Sequence, residues 1–278
     1  MSIVLTLAHS PDADDAFMFY ALAKDRIETG GLRFQHVLAD IETLNQSALR
    51  SVYDVTAISF HAYAYLHQNY ALLRCGSSFG EGYGPLVVAR EKLKVAELAG
   101  KRIAIPGKMT SAYLLLRLFA GEVDALAVPF DEIPGAVASG QADAGLLIHE
   151  GQLTYGESGL HPVVDLGAWW REQHGLPVPL GGLAVRRGIE PERVRAIAAA
   201  VEASIRYALE HRADALAYAL QYGRGMSTAV GDRFVGMYVN ELTLDAGPEG
   251  QRSIQLLLDL AFKARLIPER VAVELHPA

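Results

Sequence analysis

The chain contains a single cysteine, Cys75, among 278 residues, so an intrachain disulfide is impossible. A lone Cys with no partner base legible beside it reads as a small buried hydrophobe at a strand end, with a catalytic thiol as the alternative. Long runs of Lys or Arg are missing, and the formal net charge is −7. That balance argues against nucleic acid and anionic membrane surfaces as partners. It leaves room for a locally positive pocket holding a small anion. No apolar stretch approaches the ~20 residues that span a bilayer. The segment Met1-Ser2-Ile3-Val4-Leu5-Thr6-Leu7 carries no basic leader and turns polar at His9, unlike a secretory signal. A cytoplasmic location is expected. Repeats and metal-ligand spacings are also missing. His61 and His67 share no helical face well, and Leu153 stands where a zinc-protease motif would place its second His. Neither a metal nor a cofactor is expected.

Hydrophobic residues make up 51% of the chain, enough for a substantial core. Apolar runs expected as strands (Ile3 to Ala8, Phe34 to Leu38, Val55 to Ile58) alternate with helical patterns. This predicts an α/β fold with mainly parallel sheets flanked by helices. Ser10-Pro11 is expected to start the first helix, with Asp12, Asp14 and Asp15 complementing its dipole. Gly80-Glu81-Gly82-Tyr83-Gly84-Pro85 leads into a strand rather than a helix, so it reads as a flexible connection and not a dinucleotide loop. A second unit begins near Leu98-Ala99-Gly100-Lys101, and Pro179 to Val185 reads as a strand crossing back. From Pro191 onward the pattern is helical. The simplest division is a discontinuous outer lobe of residues 1–86 plus 182–278, with residues 87–181 inserted as a second lobe. Such folds bind ligands between lobes, at the carboxyl ends of strands.

Ser10, Ser59, Thr110 and His149 each follow an expected strand, and they come from both lobes. Thr110-Ser111 offers two hydroxyls and free N–H groups at a helix start, which suits a carboxylate or phosphate or else is an ordinary N-cap. His149 ends the apolar run Gly145-Leu146-Leu147-Ile148. An imidazole at a cleft rim can act as a general base near neutral pH, or it can be a structural hydrogen-bonding group. Glu150 either orients His149 or faces solvent. Ser59 with His61 lacks a nucleophile elbow, so ligand hydrogen bonding fits Ser59 better than nucleophilic attack. Trp169-Trp170 reads as core on one side and interface on the other.

The segment Leu98 to Gly107, followed by Thr110-Ser111-Ala112, resembles the start of the second lobe in type II periplasmic-binding-protein folds. More narrowly, the chain resembles the 1,4-dihydroxy-6-naphthoate synthases of the futalosine route to menaquinone. The matching stretches are Ser10-Pro11 with Asp15 and Phe17 to Leu22, Glu42-Thr43-Leu44-Asn45, Gly84 to Arg90, Gly145 to Glu150, and Val164 to Trp170. The most discriminating are Gly145-Leu146-Leu147-Ile148-His149-Glu150 and Asp165-Leu166-Gly167-Ala168-Trp169-Trp170.

The resemblance implies a two-lobed fold with its ligand cleft between the lobes. It implies a cofactor-free carbon–carbon lyase that converts cyclic dehypoxanthine futalosine into 1,4-dihydroxy-6-naphthoate. It places the proton acceptor on His149 and substrate contacts on Ala57, Ile58, Ser59, Thr110 and Ser111. Some members carry Lys where this chain has Ala57, which leaves a backbone contact there. Some carry Asn where this chain has Asp14. Ser10, Asp15, Asn45 and Glu150 complete the candidate site. The expected partner is a small-molecule carboxylate, bound by a monomer or homodimer. Two rivals share the fold: chorismate dehydratase of the same pathway, and a non-catalytic anion-binding receptor.

Overall fold

A computed structural model describes residues 3–277. Twelve strands are assigned among them: β1 (Ile3–His9), β2 (Leu32–Leu38), β3 (Val55–Ser59), β4 (Tyr70–Leu73), β5 (Ser78–Gly80), β6 (Leu86–Ala89), β7 (Arg102–Ile105), β8 (Asp124–Ala127), β9 (Ala144–Leu147), β10 (His161–Asp165), β11 (Val178–Arg186) and β12 (Leu275–His276). They form two sheets. The first runs β12-β4-β11-β3-β1-β2, with β5 also paired to β11, and the second runs β10-β6-β9-β7-β8. The first sheet therefore draws on both ends of the chain and the second on its middle.

Both sheets are mixed rather than mainly parallel. β1 pairs in parallel with β2 and β3, and β7 with β8 and β9, where helices make the connections. β11 runs antiparallel to β3, β4 and β5, and β6 runs antiparallel to β9 and β10. These antiparallel strands flank the two crossings between the sheets, from β5 to β6 and, through helix Leu166–His174, from β10 to β11. The inner strands are apolar along their length because helices cover both faces. β4, β6 and β9 are buried at every position.

Helix Ser111–Ala120 of the middle segment packs on helices Phe60–Leu66 and Gly247–Lys263. One apolar cluster consequently runs from Ile58 and Leu72 under the first sheet to Ile103 and Leu146 in the second. Trp170 is fully buried in that cluster, and Trp169 meets Phe119 edge-on at 5.3 Å. Cys75 is buried, and burial pushes its thiol up to about 12, which makes it unreactive at neutral pH.

Two local expectations change. The first helix is Ala13–Met18 with Asp12 at its N-cap, so Ser10 and Pro11 precede it. The segment expected to be a flexible connection is packed tightly: Leu166 N–H donates to Pro85 O at 2.9 Å, and a Cβ placed on Gly167 would lie 2.0 Å from Tyr83 O. The two crossings are thus held against each other. Close backbone approach, rather than freedom, is what these glycines provide.

Candidate active site

The carboxyl ends of β1, β3, β7 and β9 converge on one cleft. Its empty volume is about 760 Å³, and its lining includes Ser10, Asp14, Asp15, Ala57, Ile58, Ser59, Thr110, Ser111 and His149. Met18, Ile41, Ile148, Leu180 and Phe234 supply apolar walls. This suits an organic ligand with a few fixed polar groups. Asn45 and Glu150 do not line the cavity.

Asn45 is completely buried behind Ser59. Its Oδ1 accepts from Ser59 N–H at 2.9 Å, and its Nδ2 donates to Ser59 Oγ at 3.1 Å and to Met109 O at 3.4 Å. One amide thereby ties the end of β3 to the turn before Thr110. Thr110 caps helix Ser111–Ala120: its Oγ1 accepts from Tyr113 N–H at 3.2 Å and donates to Gly107 O at 2.8 Å. That hydroxyl is occupied by the protein. Ser111 Oγ accepts from His61 N–H at 3.2 Å and retains its own hydrogen for a ligand. The ten-residue helix directs its first N–H groups and dipole at the same wall.

His149 lies two residues beyond the end of β9, at φ +52°. A non-Gly residue in this left-handed region costs about 1 kcal/mol or more, and such strain concentrates at functional sites. Its Nε2 faces the fully buried Asp12 Oδ2 at 3.2 Å, off the line of a hydrogen bond. Alignment that tightens only once substrate binds is common for catalytic hydrogen bonds. Asp12 Oδ2 also accepts a short bond from Ser10 Oγ, and Asp12 Oδ1 accepts from Arg224 at 2.8 Å. Arg224 in turn pairs with Glu150 Oε1 at 2.7 Å. Glu150 therefore neither faces solvent nor touches the imidazole.

The charges shape the protonation of this cluster. Burial alone would lower the His149 pKa, but the carboxylates of Asp12, Asp14 and Glu150 outweigh burial and Arg224 and raise it. Asp14 is pushed up to about 6, chiefly by burial, and Asp15 is raised well above the usual carboxylate range for the same reason. Ligand atoms of Asp12, Asp14 and His149 lie within 4.8 Å of one another. Asp12 Oδ1 already accepts from Arg224 and Asp12 Oδ2 from Ser10, so the donor set reads as a hydrogen-bonded carboxylate rather than a metal seat.

Asp12 and Arg224 join His149 in this cluster, and neither is singled out as a site residue by the sequence. Asp12 carried the signature of an ordinary helix cap. Arg224 stands between Gly223 and Gly225 in a late turn, 212 residues from its partner.

Fold and site together define an α/β protein of the periplasmic-binding-protein architecture whose cleft is backed by a His149–Asp12–Arg224 cluster. The alkanesulfonate-binding protein of Xanthomonas axonopodis superimposes with a TM-score of 0.73 at 16% identity, covering 97% of this chain and 96% of that one. At that identity the likeness concerns the fold. A family model described as menaquinone biosynthesis matches residues 5–263, and the chain belongs to this family. It is 44% identical over 253 residues to a 1,4-dihydroxy-6-naphthoate synthase of Thermus thermophilus, covering 91% of this chain and 92% of the relative. It is 38% identical over 270 residues to the synthase of Streptomyces coelicolor, covering 95% of each. A crystal structure from Archaeoglobus fulgidus matches with a TM-score of 0.92 at 45% identity, covering 95% of this chain and 98% of that one.

Proposed function

We propose that this protein is a 1,4-dihydroxy-6-naphthoate synthase, a cofactor-independent lyase acting on cyclic dehypoxanthine futalosine, with His149 as the proton acceptor. The observation that carries the reading is His149 itself: an imidazole in a strained backbone position, lining the cleft and facing a buried carboxylate. Asp12 orients one ring nitrogen, which leaves Nδ1 to take the substrate proton, and stabilises the imidazolium that results. Loss of the proton starts the cleavage that separates the naphthalene-forming part from the sugar-derived part, and the developing aromatic ring drives it. Ser111 Oγ–H and the N–H groups at the start of its helix hold the substrate carboxylate on the facing wall. Ala57, Ile58 and Ser59 bound the cleft between these two groups, and the Ala57 contact is through the backbone. Ser10 and Asp15 shape the floor beside Asp12, and Asn45 fixes Ser59 from behind. Asp15 Oδ2 accepts from Ser10 N–H at 2.7 Å and so holds the end of β1 in place.

We assign residues 1–86 plus 182–278 to an outer lobe and 87–181 to an inserted lobe, whose closure over substrate excludes water. Among the described residues no helix is long and apolar enough to cross a membrane, and a cytoplasmic enzyme acting as monomer or homodimer fits the proposal. Incubation of the purified protein with cyclic dehypoxanthine futalosine, and separately with chorismate, followed by mass spectrometry, tests it. The naphthoate product is expected from the first substrate and no turnover from the second. Dehydration of chorismate, or binding without turnover of either compound, would overturn the assignment.

A further inference from the structure

Arg224 sits in the turn between helices Arg212–Ala219 and Thr228–Tyr238 and bridges the segment after β1 to the middle segment of the chain. On the near side, its Nη1 donates to Asp12 Oδ1 at 2.8 Å and its Nη2 approaches Pro11 O at 3.5 Å. On the far side, the same Nη1 lies 2.7 Å from Glu150 Oε1, and the guanidinium carbon stands 4.6 Å from the centre of the Phe130 ring. Phe130 in turn meets the His149 imidazole edge-on at 5.0 Å. The Arg224 backbone is left-handed at φ +47°, followed by Gly225 at φ +85°. A strained turn is thus held so that one guanidinium joins the segment after β1 to the middle segment and meets both Asp12 and Phe130, which pack against His149.

We propose that Arg224 is a positioning residue: a latch that closes the two walls of the cleft on each other and fixes Asp12 and Phe130 around the His149 imidazole. This rests on the lyase reading and adds a residue to it. Closing the cleft brings Glu150 to Arg224, and the same movement carries His149 up to Asp12. An arginine suits the position because the two hydrogens of one guanidinium nitrogen serve two carboxylates while the planar face stacks on an aromatic ring.

The charged groups that face His149 are Asp12, Asp14, Glu150 and Arg224. Arg224 disfavours the imidazolium, whereas Glu150 favours it. Neutralising either residue breaks the latch, yet the two changes act on the imidazole with opposite sign.

The test uses the full chain with Arg224→Gln, Arg224→Lys and Glu150→Gln, each assayed for kcat and KM with cyclic dehypoxanthine futalosine across pH. Arg224→Gln is expected to lower kcat/KM by roughly 10- to 100-fold, as expected when an orienting partner of a functional imidazole is lost. Its acidic limb should move to higher pH. Arg224→Lys should restore part of the rate, and Glu150→Gln should move the limb to lower pH. Limbs that coincide with wild type, or that shift in the same direction in the Gln variants, would overturn the latch. If the wild-type protein makes no naphthoate, the lyase reading fails, and the latch is then judged by X-ray scattering. A larger radius of gyration in both Gln variants supports it, and radii equal to wild type overturn it.

Discussion

Gly167→Ala places a methyl group where none fits. The new Cβ would stand 2.0 Å from Tyr83 O, 2.1 Å from Tyr83 C and 2.4 Å from Gly84 N. Ordinary contact needs about 3.5 Å, so one crossing must move by more than an ångström relative to the other. All three atoms are backbone, and no side chain can rotate away. Overpacking typically costs about 1–3 kcal/mol, and rigid surroundings place this case at about 3 kcal/mol. For 278 residues the unfolding entropy is about 0.6 kcal/mol/K, so Tm should fall by about 5 °C. Gly135→Ala is the matched control. Gly135 lies within helix Ile133–Ala138 with nothing within 4 Å of a built Cβ, and a gain of about 0.5–1 kcal/mol is expected there. Differential scanning calorimetry of both variants checks the pair. Equal Tm values for Gly167→Ala and wild type would refute the claim that the crossings are locked together by backbone contact.

Asn45→Ala strands the Ser59 N–H and frees the turn at Met109, which should cost about 2 kcal/mol and raise KM more than it lowers kcat; unchanged KM would contradict its role in holding the two walls. His9 and His61 are kept neutral mainly by burial, at about 3 and about 4 respectively. Unfolded, each titrates near 6.5, so the unfolded chain takes up protons first as pH falls. Their contribution is complete above 6.5 and is lost as pH drops toward about 4 for His61 and about 3 for His9. The raised Asp14 and Asp15 carboxyls act in the opposite sense over the same window, so the difference between variants carries the test: on acidification from pH 6.5 to 4, His61→Gln should lose less Tm than wild type in thermal melts at stepped pH, and equal changes would contradict the account.

Much of the architecture was legible because buried strands are short apolar runs. Val55 to Ile58 and Ala144 to Leu147 announce themselves, as does the Thr110 cap ahead of an apolar helix. The mixed strand directions were not legible. β6 and β11 look like any other buried strand, and only their partners decide which way they run. The cleft lining was readable because residues that follow parallel strands share one edge of a sheet. The network behind it was not. An Asp at a helix start has a sufficient local explanation, so nothing in Asp12 pointed to His149. Arg224 reads as a loop cation until the fold folds its turn back over the first strand. Gly80 to Pro85 looked flexible because glycine permits both freedom and close approach, and sequence alone does not separate the two.

The central claim is that His149 accepts a proton in the cleavage of cyclic dehypoxanthine futalosine. The pH dependence of kcat/KM for wild type and His149→Ala tests it most directly. Because the surrounding carboxylates raise the imidazole pKa and the base works in its neutral form, the wild-type rate should fall on acidification with a midpoint above 6.5. His149→Ala should fold, bind and lose turnover by roughly 10²-fold or more. A folded His149→Ala protein with full turnover and the wild-type pH limb would contradict the account.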